Sequence, residues 1–211
     1  KNTGAAIVLY PGGGYACLNL SISVAKWYAS QGITVAVVKY RLPNYGHYEA
    51  TLEDAIGAVK YLRTRTDLSI NPAKVGVGGS SAGGHLASWV SNAMADGEKP
   101  AFAILHYPWI NLTKSYTNTE GLVLFQFLGK DYHYQEAVNL STHNMVTSTT
   151  PPTLLLLCDD DGTVSSLSSV AYYKALLRYS KASTLRTWSA AAFYTEHKDY
   201  GNYTPFKDIA M

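Results

Sequence analysis

The chain has 211 residues, 47% hydrophobic and only 15% charged, enough for one domain to bury a large core and too apolar for a disordered chain. Seventeen Lys plus Arg against fifteen Asp plus Glu leave a formal net charge of +2 with no basic block or acidic tail, which argues against nucleic acid or an anionic membrane as partner. No apolar run reaches the ~20 residues that span a bilayer, the start shows no signal-peptide pattern, and Cys17 and Cys158, without metal-ligand spacing, read as buried free thiols.

Ala5 to Tyr10 (AAIVLY) is a short apolar run closed by Pro11-Gly12-Gly13-Gly14, the pattern of a buried strand entering a tight loop. A helical pattern over Ser21 to Ser30 precedes a second strand, Thr34 to Lys39. In Thr51 to Arg65, the residues Leu52, Ala55, Ile56, Val59, Tyr61 and Leu62 include the spacing of a helix with one buried face. Val75 to Gly78 predicts a third strand, Gly84 to Met94 a helix and Phe102 to Tyr107 a fourth strand. Trp109 to Thr150, about forty residues rich in Asn, Thr and Tyr, is too long for an ordinary connection and predicts a cap over one end of the sheet. Thr153 to Cys158 (TLLLLC), Ser168 to Tyr179 and Leu185 to Trp188 then read as strand, helix and strand. Continuously apolar strands alternating with helices predict an α/β fold, its mostly parallel sheet covered on both faces. No repeat or linker divides the chain.

Gly79-Ser80-Ser81-Ala82-Gly83 is a G-x-S-x-G pattern after a predicted strand and before a predicted helix. A nucleophile at a sharp strand-to-helix turn needs small neighbours two residues away on either side, and the helix N-terminus favours negative charge developing beside it. Ser81 is therefore the candidate nucleophile, with Ser80 and Ser88 structural. Consecutive glycines after the first strand let backbone N–H groups face a substrate oxygen, so the N–H of Gly13 or Gly14, together with that of Ala82, is the candidate oxyanion hole. An ordinary glycine turn is the alternative. A phosphate cradle is disfavoured, because no P-loop or dinucleotide register is present.

A serine needs a base, and the base a carboxylate. Asp159-Asp160-Asp161-Gly162 follows a strand at its carboxyl end, where such sheets place their sites. Asp161, at the loop apex, is preferred, with Asp160 second and a plain turn and helix cap third. In the chain order Ser, acid, His, only His197 follows the acidic cluster. His85 reads as packed or capping, His106 as a strand residue, His47 as a loop residue, and His133 and His143 as cap residues. Tyrosine is unusually frequent, seventeen against five Phe. Tyr15, Trp109 and the cap tyrosines read either as a sugar-stacking wall or as core.

The blocks LYPGGGYACLNLS, VVKYRLP, LEDAIGAVKYLR, NPAKVGVGGSSAGGHLAS, FAILHYPWI and TPPTLLLLCDDDGTVSSLSSVAYYKALLR make nearly the whole chain resemble the α/β-hydrolase esterases of the acetyl xylan esterase and related carbohydrate esterase type. The resemblance implies a twisted sheet with helices on both faces and a cap insertion near residues 109–150. It also implies a serine carboxylesterase that removes acetyl or related acyl groups from plant polysaccharide such as xylan, works without metal or organic cofactor, and is secreted or periplasmic. It sets Ser81 on the nucleophile, Asp161 on the carboxylate of an Asp-x-x-Val turn, and the Gly13 and Gly14 region on the oxyanion loop. The His-Gly-Gly-Gly of other esterases is Pro-Gly-Gly-Gly here. The family's Gly-Gly-His-Gly-aromatic segment is replaced by Ser189-Ala190-Ala191-Ala192-Phe193-Tyr194-Thr195-Glu196-His197. By spacing Phe193 takes the histidine position, so either a longer loop brings in His197 or the triad is broken and the protein is a catalytically impaired carbohydrate-binding member. A peptidase or other acyl hydrolase stays open as well, since fold and triad do not fix the acyl group. The family pattern expects sheet residues before Lys1 and an amphipathic helix after Met211, so residues 1–211 read as a single domain truncated at both ends.

Overall fold

The computed structural model describes residues 2–20, 22–179 and 183–188, the side chains of 186–188 excepted. Six parallel strands, β1 (Ala6–Tyr10), β2 (Thr34–Val37), β3 (Val75–Ser80), β4 (Ala103–His106), β5 (Thr153–Cys158) and β6 (Ser183–Trp188), form one sheet in the order β2-β1-β3-β4-β5-β6. The helices are α1 (Ile22–Ser30), α2 (Glu49–Thr64), α3 (Ala82–Ala93), α4 (Asn118–Leu128), α5 (Tyr134–Leu140) and α6 (Ser166–Leu177). The expected α/β architecture, with helices on both faces of a parallel sheet, is what the chain adopts.

Side-chain alternation in the strands divides the core in two. Ala6, Val8 and Tyr10 of β1, with Leu155 and Leu157 of β5, join a large cluster against α2, α3, α4 and α6. Ile7 and Leu9 of β1, with Leu156 of β5, face the other way and pack on Tyr28 and Trp27 of α1. Period 2 with both faces apolar gives the continuous hydrophobic runs seen in the sequence. Each fully buried aliphatic side chain contributes roughly 1.5 to 3 kcal/mol. In β3 the alternate positions Gly76 and Gly78 replace side chains on the second face, and the Phe102 ring fills the space that a Cβ at Gly76 would need.

The helices follow from their patterns. Ala55, Val59 and Leu62 form the buried stripe of α2. Residues Ala82 to Ser91 of α3 are buried on every side, as befits a helix enclosed between sheet and cap. The segment expected as a cap holds two helices, α4 and α5, that sequence pattern alone did not resolve. Helix α4 starts with a capping box in which the Thr117 hydroxyl accepts from the Glu120 N–H while the Glu120 side chain accepts from the Thr117 N–H. Its Phe127 is fully buried and stacks on Tyr15 with ring centroids 4.7 Å apart, so the cap is part of the core. The reading of the cysteines changes in one respect: both are free, but Cys17 is exposed and Cys158 half-buried, because the turn after β1 carries Cys17 outward. Among the described residues no helix is long and apolar enough to cross a membrane.

Candidate active site

All six strands run parallel, so their carboxyl ends share one edge. The register carries this level across the sheet: Tyr10 pairs with Gly79, Ser80 with His106, His106 with Leu156, and Cys158 with Trp188. The glycine loop after β1, Ser81 after β3 and the Asp159 to Asp161 loop after β5 therefore lie on the same edge. β3 and β5 are separated by one strand, so the second and third of these are about 10 Å apart across the sheet.

Ser81 joins β3 to α3 in a conformation few non-glycine residues adopt, φ 56° and ψ −121°. Such a backbone costs on the order of 1 to 3 kcal/mol and persists only where its surroundings enforce it. Here the Ser81 N–H donates to His106 O at 3.0 Å, while Ser81 O accepts from His85 N at 3.0 Å and from Trp109 N at 3.2 Å. The glycines on either side let the turn close. A Cβ on Gly83 would lie 2.0 Å from Tyr10 O, and one on Gly79 would lie 2.2 Å from Gly83 O. Unlike an ordinary N-cap serine, Ser81 caps no helix N–H with its hydroxyl.

The glycine loop lies against this turn. A Cβ on Gly12 would come within 3.3 Å of Ser81 Cβ and 2.7 Å of Ser80 O. Tyr40 holds the loop from behind by donating its hydroxyl to Pro11 O at 2.6 Å. Gly13 turns back at φ 126°, its carbonyl accepting from Ala16 and Cys17 N–H. The N–H groups of Gly13, Gly14 and Ala82 donate no hydrogen bond within the described residues. N–H groups placed beside a serine at a helix N-terminus are of the kind that can receive an anionic oxygen. From above, Val123 of the cap approaches to 3.3 Å of where a Cβ of Gly14 would be.

Asp161 is half-buried, and its Oδ1 accepts from the N–H groups of Thr163 at 2.7 Å and Val164 at 3.1 Å. Asp159 and Asp160 are exposed. Burial and these three carboxylates push the Cys158 thiol up to about 11, so it stays protonated and unreactive near neutrality. His197 and Phe193 lie outside the described residues. Strand β6 ends at Trp188 beside Cys158, on the site edge of the sheet.

Of the two readings of Tyr15 and Trp109, one is corrected. Tyr15 and Trp109 cannot present rings to a sugar, since each is 1% exposed within an aromatic cluster that includes His85 and Phe127. The Tyr15 hydroxyl is also engaged, 2.7 Å from His85 Nδ1. The core alternative therefore describes them. Ser88 is structural as read, donating to His85 O and meeting the Thr142 hydroxyl. Among the described residues no cluster of His, Cys, Asp or Glu is arranged to hold a metal.

Sequence reasoning missed Glu120. Its side chain is fully buried, and its carboxylate accepts from Tyr116 N at 2.6 Å, Thr117 N at 3.1 Å and Ser165 N at 3.1 Å. The Thr117-x-x-Glu120 spacing signals a helix start; nothing local signals the contact to Ser165, forty-five residues on.

Comparison with known proteins matches residues 7–193 to a family described by the alpha/beta hydrolase fold. An acetylxylan esterase of Xylanibacter ruminicola is 35% identical over 152 residues, 69% of this chain and 31% of that protein. An ethyl acetate hydrolase of Pseudomonas putida is 31% identical over 112 residues, 50% of this chain and 35% of that protein. The chain thus spans about a third of the length of these curated relatives. The crystal structure of an acetyl ester-xyloside bifunctional hydrolase from Caldicellulosiruptor lactoaceticus superposes with a TM-score of 0.85 at 31% identity, covering 97% of this chain and 81% of that one.

Proposed function

The chain belongs to the alpha/beta-hydrolase family, and from that premise we propose that it is a serine carboxylesterase acting on acetyl or related acyl esters, with acetylated plant polysaccharide such as xylan as its substrate class. The observation that supports this best is the Ser81 backbone, held at φ 56° over the end of β3 with its hydroxyl free of helix capping and the glycine loop alongside. Similarity to relatives named for acetyl-ester hydrolysis supports the acyl group.

In this reading the Ser81 Oγ attacks the ester carbonyl while His197 takes its proton. The carbonyl oxygen becomes an anion received by the N–H groups of Gly13 or Gly14 and of Ala82, each donor lowering the barrier by ~3 kcal/mol. Asp161 keeps the imidazole in the tautomer that accepts from serine, using the carboxylate oxygen its own turn leaves unused. His197 returns the proton to the leaving alcohol, and water repeats the sequence to free the acid. The single domain is proposed to carry all of these groups.

The test combines labelling by phenylmethylsulfonyl fluoride with hydrolysis of p-nitrophenyl acetate. Ser81→Ala is expected to abolish labelling and to lower kcat by about 10⁵- to 10⁶-fold. An unlabelled, inactive wild type of verified fold would refute the esterase reading and favour a carbohydrate-binding member. Activity unchanged in His197→Ala would remove that residue as the base. Acetylated xylan compared with a dipeptide panel separates esterase from peptidase.

A further inference from the structure

Glu120 has an environment that secondary structure alone does not require. A capping-box glutamate normally reaches its own helix start and otherwise faces water. This one is fully buried, and Oε2 serves the α4 start while Oε1 accepts from Ser165 N, the residue preceding α6. The adjoining Thr117 hydroxyl adds a second tie, donating to Thr163 O at 2.8 Å. The turn that presents Asp161 is thereby secured at consecutive backbone groups. Asp161 itself accepts from Thr163 N and Val164 N, Thr117 bonds Thr163 O, and Glu120 accepts from Ser165 N. Val164, between these ties, is buried.

We infer that Glu120 is a positioning residue for the acid of the catalytic machinery: through Ser165, and with Thr117, it locks the Asp161 turn to the start of cap helix α4. The inference rests on the reading of Asp161 as that acid. The cap therefore does more than roof the site, because the same helix touches the glycine loop through Val123. A carboxylate is the group this place needs. Both its oxygens face N–H donors, and glutamine would turn an NH2 toward one set or the other whichever way it rotated.

The experiment measures kcat and KM for p-nitrophenyl acetate in wild type, Glu120→Gln, Asp161→Asn and the double variant, with folding checked by circular dichroism and urea midpoint. Glu120→Gln is expected to lower kcat by on the order of 10- to 100-fold, to leave KM within about twofold, and to have no further effect in the Asp161→Asn background. An unchanged kcat, an effect confined to KM, or the same slowing in both backgrounds would overturn the proposal. Asp161→Asn at wild-type kcat would instead remove Asp161 as the acid, a different failure with a different signature. Should Glu120→Gln not fold, Thr117→Val carries the same test. It must lower kcat only where Asp161 is present, with Thr117→Ser restoring the rate; a Thr117→Val enzyme at wild-type kcat would overturn the inference.

Discussion

His85 lies in the first turn of α3, four residues past Ser81, yet both its ring nitrogens have structural partners. Nε2 is 2.9 Å from Leu140 O, which can only accept, so Nε2 carries the proton and Nδ1 accepts from the Tyr15 hydroxyl at 2.7 Å. That neutral tautomer joins helix, cap and glycine loop, and burial lowers the imidazole to about 4 from 6.5. His106, buried in β4, is likewise lowered to about 4 by burial. Between these values the unfolded chain binds protons that the folded chain refuses. Stability is therefore full above pH ~6.5 and falls as pH drops toward ~4, by about 2 to 3 kcal/mol for each histidine near pH ~4.5. Urea unfolding across this range measures the loss. His85→Gln keeps a donor for Leu140 and an acceptor for Tyr15 but cannot titrate, so it is expected to remove its own share of the acid-side loss, about 2 to 3 kcal/mol near pH ~4.5. An acid limb as steep as that of wild type would show that His85 is not its source.

At the scale of elements, the join of β3 to α3 depends on backbone approaching backbone. Gly83→Ala would place a Cβ 2.0 Å from Tyr10 O and 2.6 Å from Pro11 O, where no side-chain rotation gives relief. It is expected to cost at least ~3 kcal/mol, because helix and strand must separate. Gly57, exposed in the interior of α2 with open space around it, is the control. Gly57→Ala is expected to stabilise by roughly 0.5 to 1 kcal/mol, since alanine loses less backbone freedom on folding. Urea midpoints of the two variants moving in the same direction would contradict this account. The same contrast explains what the sequence could reveal. The strands, the helices between them and the small residues around Ser81 were legible, since apolar runs and glycine spacing are local consequences of a covered parallel sheet, whereas α4 and α5 of the cap were not. The preference for Asp161 over Asp160 comes from turn chemistry, also local, and Asp161 does accept from the N–H groups of its own turn. The burial of Tyr15 and Trp109 was not legible, because a ring that stacks on sugar and one that stacks on Phe127 have the same residue type and spacing. Glu120 was hidden for a related reason: its partner at Ser165 is brought close only when β5 delivers the chain to the end of the sheet beside α4.

For the molecule as a whole, the ion pairs of the described residues stay at the surface and are weakly coupled to the fold. The ion pairs of the described residues, such as Arg41 with Asp54 and Arg65 with Asp67, each include a well-exposed partner, and the net charge is only +2. Exposed pairs contribute little and are screened by salt. The buried ionisable groups are instead held by neutral partners: Glu120 by backbone N–H groups, His85 by a carbonyl and a hydroxyl. Hydrophobic burial on the two faces of the sheet carries the stability, and it does not depend on screening. Raising NaCl from ~0.05 to ~0.5 M is therefore expected to move the thermal midpoint by less than about 2 °C. The kcat/KM for a neutral acetyl ester should be equally flat, because a nearly neutral surface exerts no long-range attraction on an uncharged substrate. A steep fall of kcat/KM with salt for a neutral ester, which no field can steer, would mean that screened ionic contacts hold the site in its working geometry.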